Sequence, residues 1–436
     1  MSRKPRVQRW RPLRGRRCFP RISSDTATKA KSTRERHQNR MSLFLEEALA
    51  IEDKLVSIRR KIHTNPELAY HEEDTAELVG EWLGRLGISV TTHVGGTGVV
   101  GVLKGPKAGR VVALRADMDA LPLQEASDIS FRSRKEGVMH ACGHDAHIAM
   151  LLGAAMILAK HRDELRGTVK FLFQPAEEAA EMGGGALPMI EAGVLRNPKV
   201  DYVFGLHIFA NYPSRTFALR PGPLMAASCT FKIRILGRGG HGSSPHQTVD
   251  PVFITAQLIT ALQGIRSRMV DPVEPSVVSV CSVHSGTRNN IIPDDAVLEG
   301  TVRTVNDATK AKIASLIRGI SDSVCKAFGA RCEVEIKDAY PVTVNDPGVE
   351  ADVSKLLKSI PGTRTVEVPP LLVAEDFSFY LREVPGTYYF LGTRNEKKGC
   401  VGPNHSTRFK IDERVMKYGS ASLALLAFEF TGRGVR

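Results

Sequence analysis

Cys142 and His144, the Glu177–Glu178 doublet, His207 and His405 are side chains of the types that bind divalent metals. Thiolate, imidazole and carboxylate together form a borderline-soft donor set, which suits zinc, cobalt, nickel or manganese better than calcium or magnesium. The stretch Met139-His140-Ala141-Cys142-Gly143-His144-Asp145 places two such ligands one residue apart, just ahead of an apolar helical run. A tight turn there can aim both at one point, and a thiolate sulfur can bridge two metals. Further on, Phe173-Gln174-Pro175-Ala176-Glu177-Glu178 sets two adjacent carboxylates directly after a strand-like run. Neighbouring side chains diverge, so one of the pair can hold metal while the other takes a proton from the attacking water and returns it to the leaving nitrogen. The chemistry this set predicts is metal-assisted hydrolysis.

Singly, these residues carry little weight. A lone cysteine or histidine is usually packed or solvated, and a Glu-Glu pair at a helix start is usually capping charge. Cys229, Cys281, Cys325 and Cys332 fit that plain account as small apolar residues of regular elements. His63, His71, His93, His161 and His246 stand in no ligand context.

Several function classes are excluded by composition. At 436 residues and 42% hydrophobic content the chain is long enough for two domains with their own cores. Its seven cysteines are odd in number and lack paired spacing, so no disulfide framework is expected and a reducing, cytoplasmic location is. No apolar run approaches the roughly 18–20 residues of a membrane span. The net charge of +13 is concentrated at one end: residues 1–40 hold 14 lysines and arginines against Asp25 and Glu35, and the remainder holds 46 basic and 45 acidic side chains. The body is nearly neutral, so a nucleic-acid partner is not expected of it. The basic tail reads as a disordered arm, a targeting segment, or translated sequence upstream of a start at Met41. From Met41 an amphipathic helix is expected to bury Leu43, Leu45, Ala48, Ile51, Leu55 and Ile58.

These ligands need elements to position them. Helical spacing runs from Ser42 to about Arg85, broken at Asn65-Pro66. Val99–Leu103 and Val111–Arg115 are β-branched runs separated by Gly105-Pro106, expected as a hairpin or as adjacent strands. A helix is predicted over Ala146–Ala159, strands over Val169–Phe173 and Val203–His207, and a flexible loop at Gly183–Gly185 followed by a helix to Glu191. Strands alternating with helices indicate an α/β sheet covered by helices. Beyond Leu224 the order changes to strand Cys229–Leu236, helix Asp250–Met269, strands Ser276–His284 and Asp295–Arg303, helix Asp307–Phe328 and strand Arg331–Ile336. That β-α-β-β-α-β order is the split βαβ pattern of ferredoxin-like domains. The expected organisation is a metal-binding α/β catalytic domain from residues 41–224 and 338–436, with a ferredoxin-like domain of residues 225–337 inserted into it.

Taken in order, the segments from about His63 to Ile411 resemble the M20 metallopeptidase clan. The likeness is carried by Arg115-Ala116-Asp117-Met118-Asp119-Ala120-Leu121-Pro122, Cys142-Gly143-His144-Asp145, Gln174-Pro175-Ala176-Glu177-Glu178, Gly205-Leu206-His207, Gly237-Arg238-Gly239-Gly240-His241-Gly242, Asn289-Asn290-Ile291-Ile292-Pro293, Ala374-Glu375-Asp376-Phe377 and Asn404-His405-Ser406. More narrowly it resembles the amidohydrolase branch with hippurate hydrolase and indole-3-acetyl-amino-acid hydrolases. The resemblance implies two divalent metals, with Cys142 bridging, Glu178 and His405 on one, and His144 and His207 on the other. It implies Glu177 as general base and acid, and Asp119 as the carboxylate that orients the site. Asp117 stands where many members have a metal-binding histidine, which favours the amidohydrolase branch over aminopeptidases. The inserted domain would act as lid and homodimerisation surface. Its His241, often supplied by the partner subunit, would stabilise the oxyanion. Asn289 and Asn290 would hold substrate or oxyanion, and Arg303 a substrate carboxylate. The implied reaction is hydrolysis of an N-acyl amino acid to a carboxylic acid and a free amino acid; a dipeptidase or carboxypeptidase of the same clan is the alternative. The acyl pocket is expected near Met182–Gly185 and Leu371–Val373.

Overall fold

The computed structural model describes residues 39–434, so all but the last two residues of the basic 1–40 stretch lie outside the described residues. The first helix, α1 (residues 39–50), is followed by α2 (Glu52–Thr64) and α3 (Glu73–Arg85). In α1 the buried stripe is Met41, Phe44 and Ala48, while Leu43 is exposed. Ala48, Leu55 and Ile58 are buried as expected, and Met41 and Phe44 rather than Leu43 begin the i, i+3, i+7 face.

The chain continues through β1 (Ser89–Thr91), β2 (Val99–Lys104), β3 (Lys107–Asp117), α4 (His144–Lys160), β4 (Arg166–Gln174), α5 (Ala186–Glu191), β5 (Tyr202–Pro213), β6 (Thr216–Leu219) and β7 (Gly222–Met225). The inserted segment contains β8 (Ala227–Leu236), β9 (Gly240–His241), α6 (Pro251–Gly264), β10 (Ser276–His284), β11 (Ile291–Ile292), β12 (Asp295–Thr304), α7 (Asp307–Ala327) and β13 (Arg331–Asp338). The chain returns through β14 (Thr343–Asn345), α8 (Pro347–Lys358), β15 (Arg364–Glu367), α9 (Phe377–Glu383), β16 (Gly386–Arg394) and α10 (Met416–Thr431).

Eight strands form one mixed sheet in the order β1-β2-β4-β3-β5-β16-β6-β15. Its centre, β4-β3-β5-β16, is parallel. These strands are buried on both faces, which is why they read as continuous apolar runs. One face packs against α1, α2, α4, α8 and α10, the other against α5 and α9. The expected pairing of β2 with β3 is not made. β4 lies between them, antiparallel to β2 and parallel to β3. The short Gly105-Pro106 connection misleads because β3 belongs to the parallel core, which β2 can only border.

The inserted segment forms its own four-stranded antiparallel sheet, ordered β10-β12-β8-β13, with α6 and α7 on one face and a separate core around Phe231, Ile233, Leu258, Leu298 and Ile317. β7 and β14 pair antiparallel where the chain leaves and re-enters the larger unit.

Candidate metal centre

Ligands in an open parallel sheet bind beyond the carboxyl ends of the strands, and the candidate residues collect there. β3 ends at Asp117 and leads to Asp119; β4 ends at Gln174 and leads to Glu177 and Glu178; β5 carries His207, level with Phe390 of β16. Cys142 and His144 arrive on the turn before α4. Gly143 between them has φ +94°, and a Cβ there would meet Ile208 Cδ1 at 2.2 Å, so only glycine fits. His405 (φ 63°) is drawn in by its amide, which donates to Ala141 O at 2.9 Å. Its neighbour Asn404 donates to Cys142 O at 3.1 Å and accepts from Ala210 N at 3.0 Å.

Five expected ligands come together. Cys142 Sγ lies 3.3 Å from His207 Nε2 and 3.3 Å from His405 Nε2, and His405 Nε2 lies 3.0 Å from Glu178 Oε1. Two triplets of ligand atoms share the sulfur: Cys142 with His144 and His207, and Cys142 with Glu178 and His405, each within 4.8 Å.

Hydrogen bonds leave the ligand atoms free. His144 Nδ1 is 3.2 Å from Asp119 Oδ1, turning Nε2 inward, and His207 Nδ1 donates to Ile208 O at 2.6 Å. Burial, then the adjacent His147, hold the His207 imidazole well below its usual proton affinity, in the neutral form that ligates. Burial, then Glu178 and Glu177, push the Cys142 thiol well above its usual range. A thiolate persists there only if a cation enters. Burial alone would lower His144, but Asp117 and Asp119 outweigh it and raise the imidazole to about 10.

The donor set fits a metal on a second ground. His144 Nε2 is buried without a hydrogen-bond partner, 3.7 Å from Asp117 Oδ2, whereas Glu178 Oε1 has the His405 ring nitrogen 3.0 Å away. An orphaned buried ring nitrogen costs desolvation. A cation beside His144 Nε2 would offset that cost.

The Glu177–Glu178 doublet is held by its backbone. Ala176 takes φ 56°, and Glu72 accepts its amide at 2.9 Å. Asp119 accepts both following amides, from Glu177 at 3.0 Å and Glu178 at 2.9 Å. One carboxylate therefore braces both the His144 ring and the doublet. Burial, then Glu375, Glu178 and Asp376, raise the Glu177 carboxyl well above its usual range. Glu177 Oε2 stands 4.0 Å from His144 Nε2, beside the ligands.

Other expected residues are placed differently. Arg303 lines the same cavity as Cys142, Glu177, Glu178, His207 and His405. His241, Asn289 and Asn290 are exposed and do not line it. They are grouped instead on the inserted unit, where β9 pairs with β11 and Gly242 N donates to Asn290 O at 2.9 Å. Of the expected acyl pocket, Leu372 and Val373 line the cavity, whereas Met182–Gly185 do not. Met182 is 65% exposed, and the glycines turn the backbone so that Gly185 and Ala186 amides reach Asp376 Oδ2, both at 3.0 Å.

Several residues around the centre escape recognition from sequence. Arg115 is almost wholly buried and bonds Asp117, Gln174 at 3.0 Å, Glu375 at 3.0 Å and Asp376 at 2.7 Å. The alternation Arg115-x-Asp117 placed these two on one side of β3, with Asp119 two residues beyond its end, and was the available signal. His147, one turn after His144, bridges Asp117 and the Ile208 amide.

His63 is likewise more than a packed histidine. Its Nδ1 is 2.8 Å from Asp145 Oδ2 and its Nε2 3.2 Å from Glu125 Oε1, tying α2 to the first turn of α4 beside His144. Burial disfavours its cation, but Asp145 and Glu125 outweigh burial and raise its proton affinity. With the folded value above the ordinary one of about 6.5, this stabilisation is complete below that pH and is lost as pH rises through the folded value. His63→Gln should therefore cost about 3 kcal/mol near pH 6 and clearly less near pH 9. Chemical unfolding of both proteins at the two pH values checks this, and an equal cost at both would refute it.

Residues 113–429 match the model of peptidase family M20/M25/M40. Thermostable carboxypeptidase 2 of Saccharolobus solfataricus is 54% identical over 88% of this chain and 97% of its own. IAA-amino acid hydrolase ILR1-like 4 of Arabidopsis thaliana is 41% identical over 87% of this chain and 86% of its own. Among solved structures, the YXEP protein of Bacillus subtilis, titled a dinuclear metal-binding peptidase from the M20 family, has TM-score 0.77 at 34% identity, covering 88% of this chain and 99% of that one. Ligand geometry, fold and likeness agree: this chain belongs to the peptidase family M20/M25/M40 and is a metal-dependent hydrolase.

Proposed function

We propose that the enzyme hydrolyses the amide bond of N-acyl amino acids, releasing a carboxylic acid and an amino acid that keeps its free α-carboxylate. The observation that carries this is a cavity of about 500 Å³ in which Cys142, Glu178, His207, His405 and Glu177 share the lining with an apolar wall of Phe209, Met225, Leu372, Val373 and Phe390, with Arg303 also lining it. An apolar acyl group suits the wall, and a guanidinium suits a carboxylate. The 54% identity to a carboxypeptidase favours a second reading, removal of a C-terminal amino acid from a peptide. Both substrates present an amide beside a free carboxylate, so the same cavity accounts for either.

Cys142, Glu178 and His405 would hold one divalent ion, and Cys142, His144 and His207 the other. When bound, such ions polarise the amide carbonyl and make water more acidic. Glu177 takes the proton of the attacking water and delivers it to the departing nitrogen, while Asp119 keeps the doublet and the His144 ring in place. His241, Asn289 and Asn290 would meet substrate across a homodimer, from the inserted domain of a second copy. A reducing, cytoplasmic setting is part of the same proposal.

The test is a panel on metal-loaded enzyme: N-benzoyl, N-acetyl and N-indoleacetyl amino acids, blocked dipeptides, and the carboxamide counterpart of each, with the released primary amine, amino acid or amino acid amide, detected. Fastest release from the N-acyl amino acids, and at least a tenfold loss with carboxamides, is expected. Faster release from the blocked dipeptides would establish the carboxypeptidase reading. Equal rates with and without the carboxylate would sink both.

A further inference from the structure

One grip on the Glu177–Glu178 loop comes from the segment that returns the chain from the inserted unit. Tyr340, two residues beyond β13, is buried, and its hydroxyl donates to the carbonyl oxygen of Glu177 at 2.5 Å. The same hydroxyl lies where a Cβ on Gly184 would come within 2.7 Å, so the phenol sits tightly in the curve of the loop. Tyr70 closes the far side, donating to Gly184 O at 2.7 Å. The backbone of Tyr340 is itself fixed to the outgoing linker: Ser228 N donates to Tyr340 O at 2.9 Å, and Ala339 N to Ser228 O at 3.0 Å. Its ring packs edge-on against Phe379, with centroids 6.2 Å apart. Tyr340 also lines the cavity that holds Glu177, Cys142 and Arg303.

We propose that Tyr340 is a positioning residue for Glu177: its hydroxyl fixes the peptide after Glu177 and thereby the direction in which the two carboxylates diverge. This rests on Glu177 being the base. Asp119 holds the amides on either side of the Glu177 side chain, but the carbonyl of Glu177 is held by Tyr340. Ala176, just before the doublet, is at φ 56°, a sparsely populated backbone region that persists only where its surroundings over-determine it. A rotation about the peptide after Glu177 swings the Glu177 carboxylate away from the attacking water, while Glu178 keeps the His405 ring beside it at 3.0 Å. The contact also explains why a tyrosine is needed from a linker between two units. The ring packs into the curve of the loop, and the hydroxyl makes the hydrogen bond to Glu177 O.

Tyr340→Phe keeps the ring and removes only that hydrogen bond. In the metal-loaded full chain, acting on the fastest substrate of the panel, it should lower kcat about tenfold, since small misplacements of a catalytic group are costly. KM should stay within about twofold, and metal content and melting temperature should match the wild type. A residue that merely packs would leave kcat unchanged on losing its hydroxyl. A kcat within twofold of wild type, or a loss that tracks metal content or melting temperature, overturns the proposal. Glu177→Gln, measured alongside, separates the two ideas. If it is inactive while Tyr340→Phe is unimpaired, only the Tyr340 role fails; if it retains turnover, the base assignment fails and the Tyr340 role with it.

Discussion

Replacing Glu177 by glutamine should lower kcat by on the order of 10³-fold while leaving bound metal at the wild-type level. The amide side chain matches the carboxylate in size, and the backbone bonds that Asp119 and Tyr340 make to this residue do not involve its side chain. What is lost is the ability to accept a proton. Buried among Glu375, Glu178 and Asp376, the carboxyl has a raised proton affinity, which suits a group that must first take a proton from water and then surrender it to an amine. Steady-state kinetics with elemental analysis of the same samples decides it. Turnover within tenfold of wild type would move the proton-transfer role elsewhere, and loss of metal in parallel would make Glu177 a ligand instead.

Cys142→Ala should lose metal and activity together, with retention of both ions weakened by at least about 100-fold. Its sulfur is the atom common to the two ligand triplets, so one substitution removes a donor from each. The surrounding carboxylates make the effect larger. Asp117, Asp119, Glu177, Glu375 and Asp376 are all buried, and Arg115, paired with three of them, offsets only part of that charge. The variant should consequently melt where chelator-treated wild type melts, because binding to the folded state is itself a source of stability. Full occupancy of both positions in the variant, by elemental analysis, would show that the sulfur is not shared.

The alternating βα texture and the β-α-β-β-α-β run carried the two-unit architecture in the sequence itself. Each pattern reflects local burial: continuous apolar runs where a strand is covered twice, alternation where it is covered once. The reactive stretches were legible for a different reason. Cys142-Gly143-His144 and Glu177-Glu178 are unusual pairings, and a turn can aim neighbouring residues only if its backbone is special, as Gly143 at φ +94° and Ala176 at φ 56° are. Strand order was not legible. Whether β2 pairs with β3 or with β4 depends on which strands the helical layers cover, which no short segment encodes.

The sequence by itself determined the kind of chemistry, through side-chain types that suit a divalent metal and a proton carrier, and the elements that bear them. Only the tertiary structure decided which residues act on one another. It drew Arg115 to Glu375 and Asp376, His63 to Asp145, and Tyr340 to the backbone of Glu177. It also placed Arg303 on the cavity while leaving His241, Asn289 and Asn290 on the outside of the chain. The physical reason is range. Propensity and periodicity act over a few residues, whereas the cost of burying an unpaired charge or hydroxyl is settled here by partners 82 to 261 positions away.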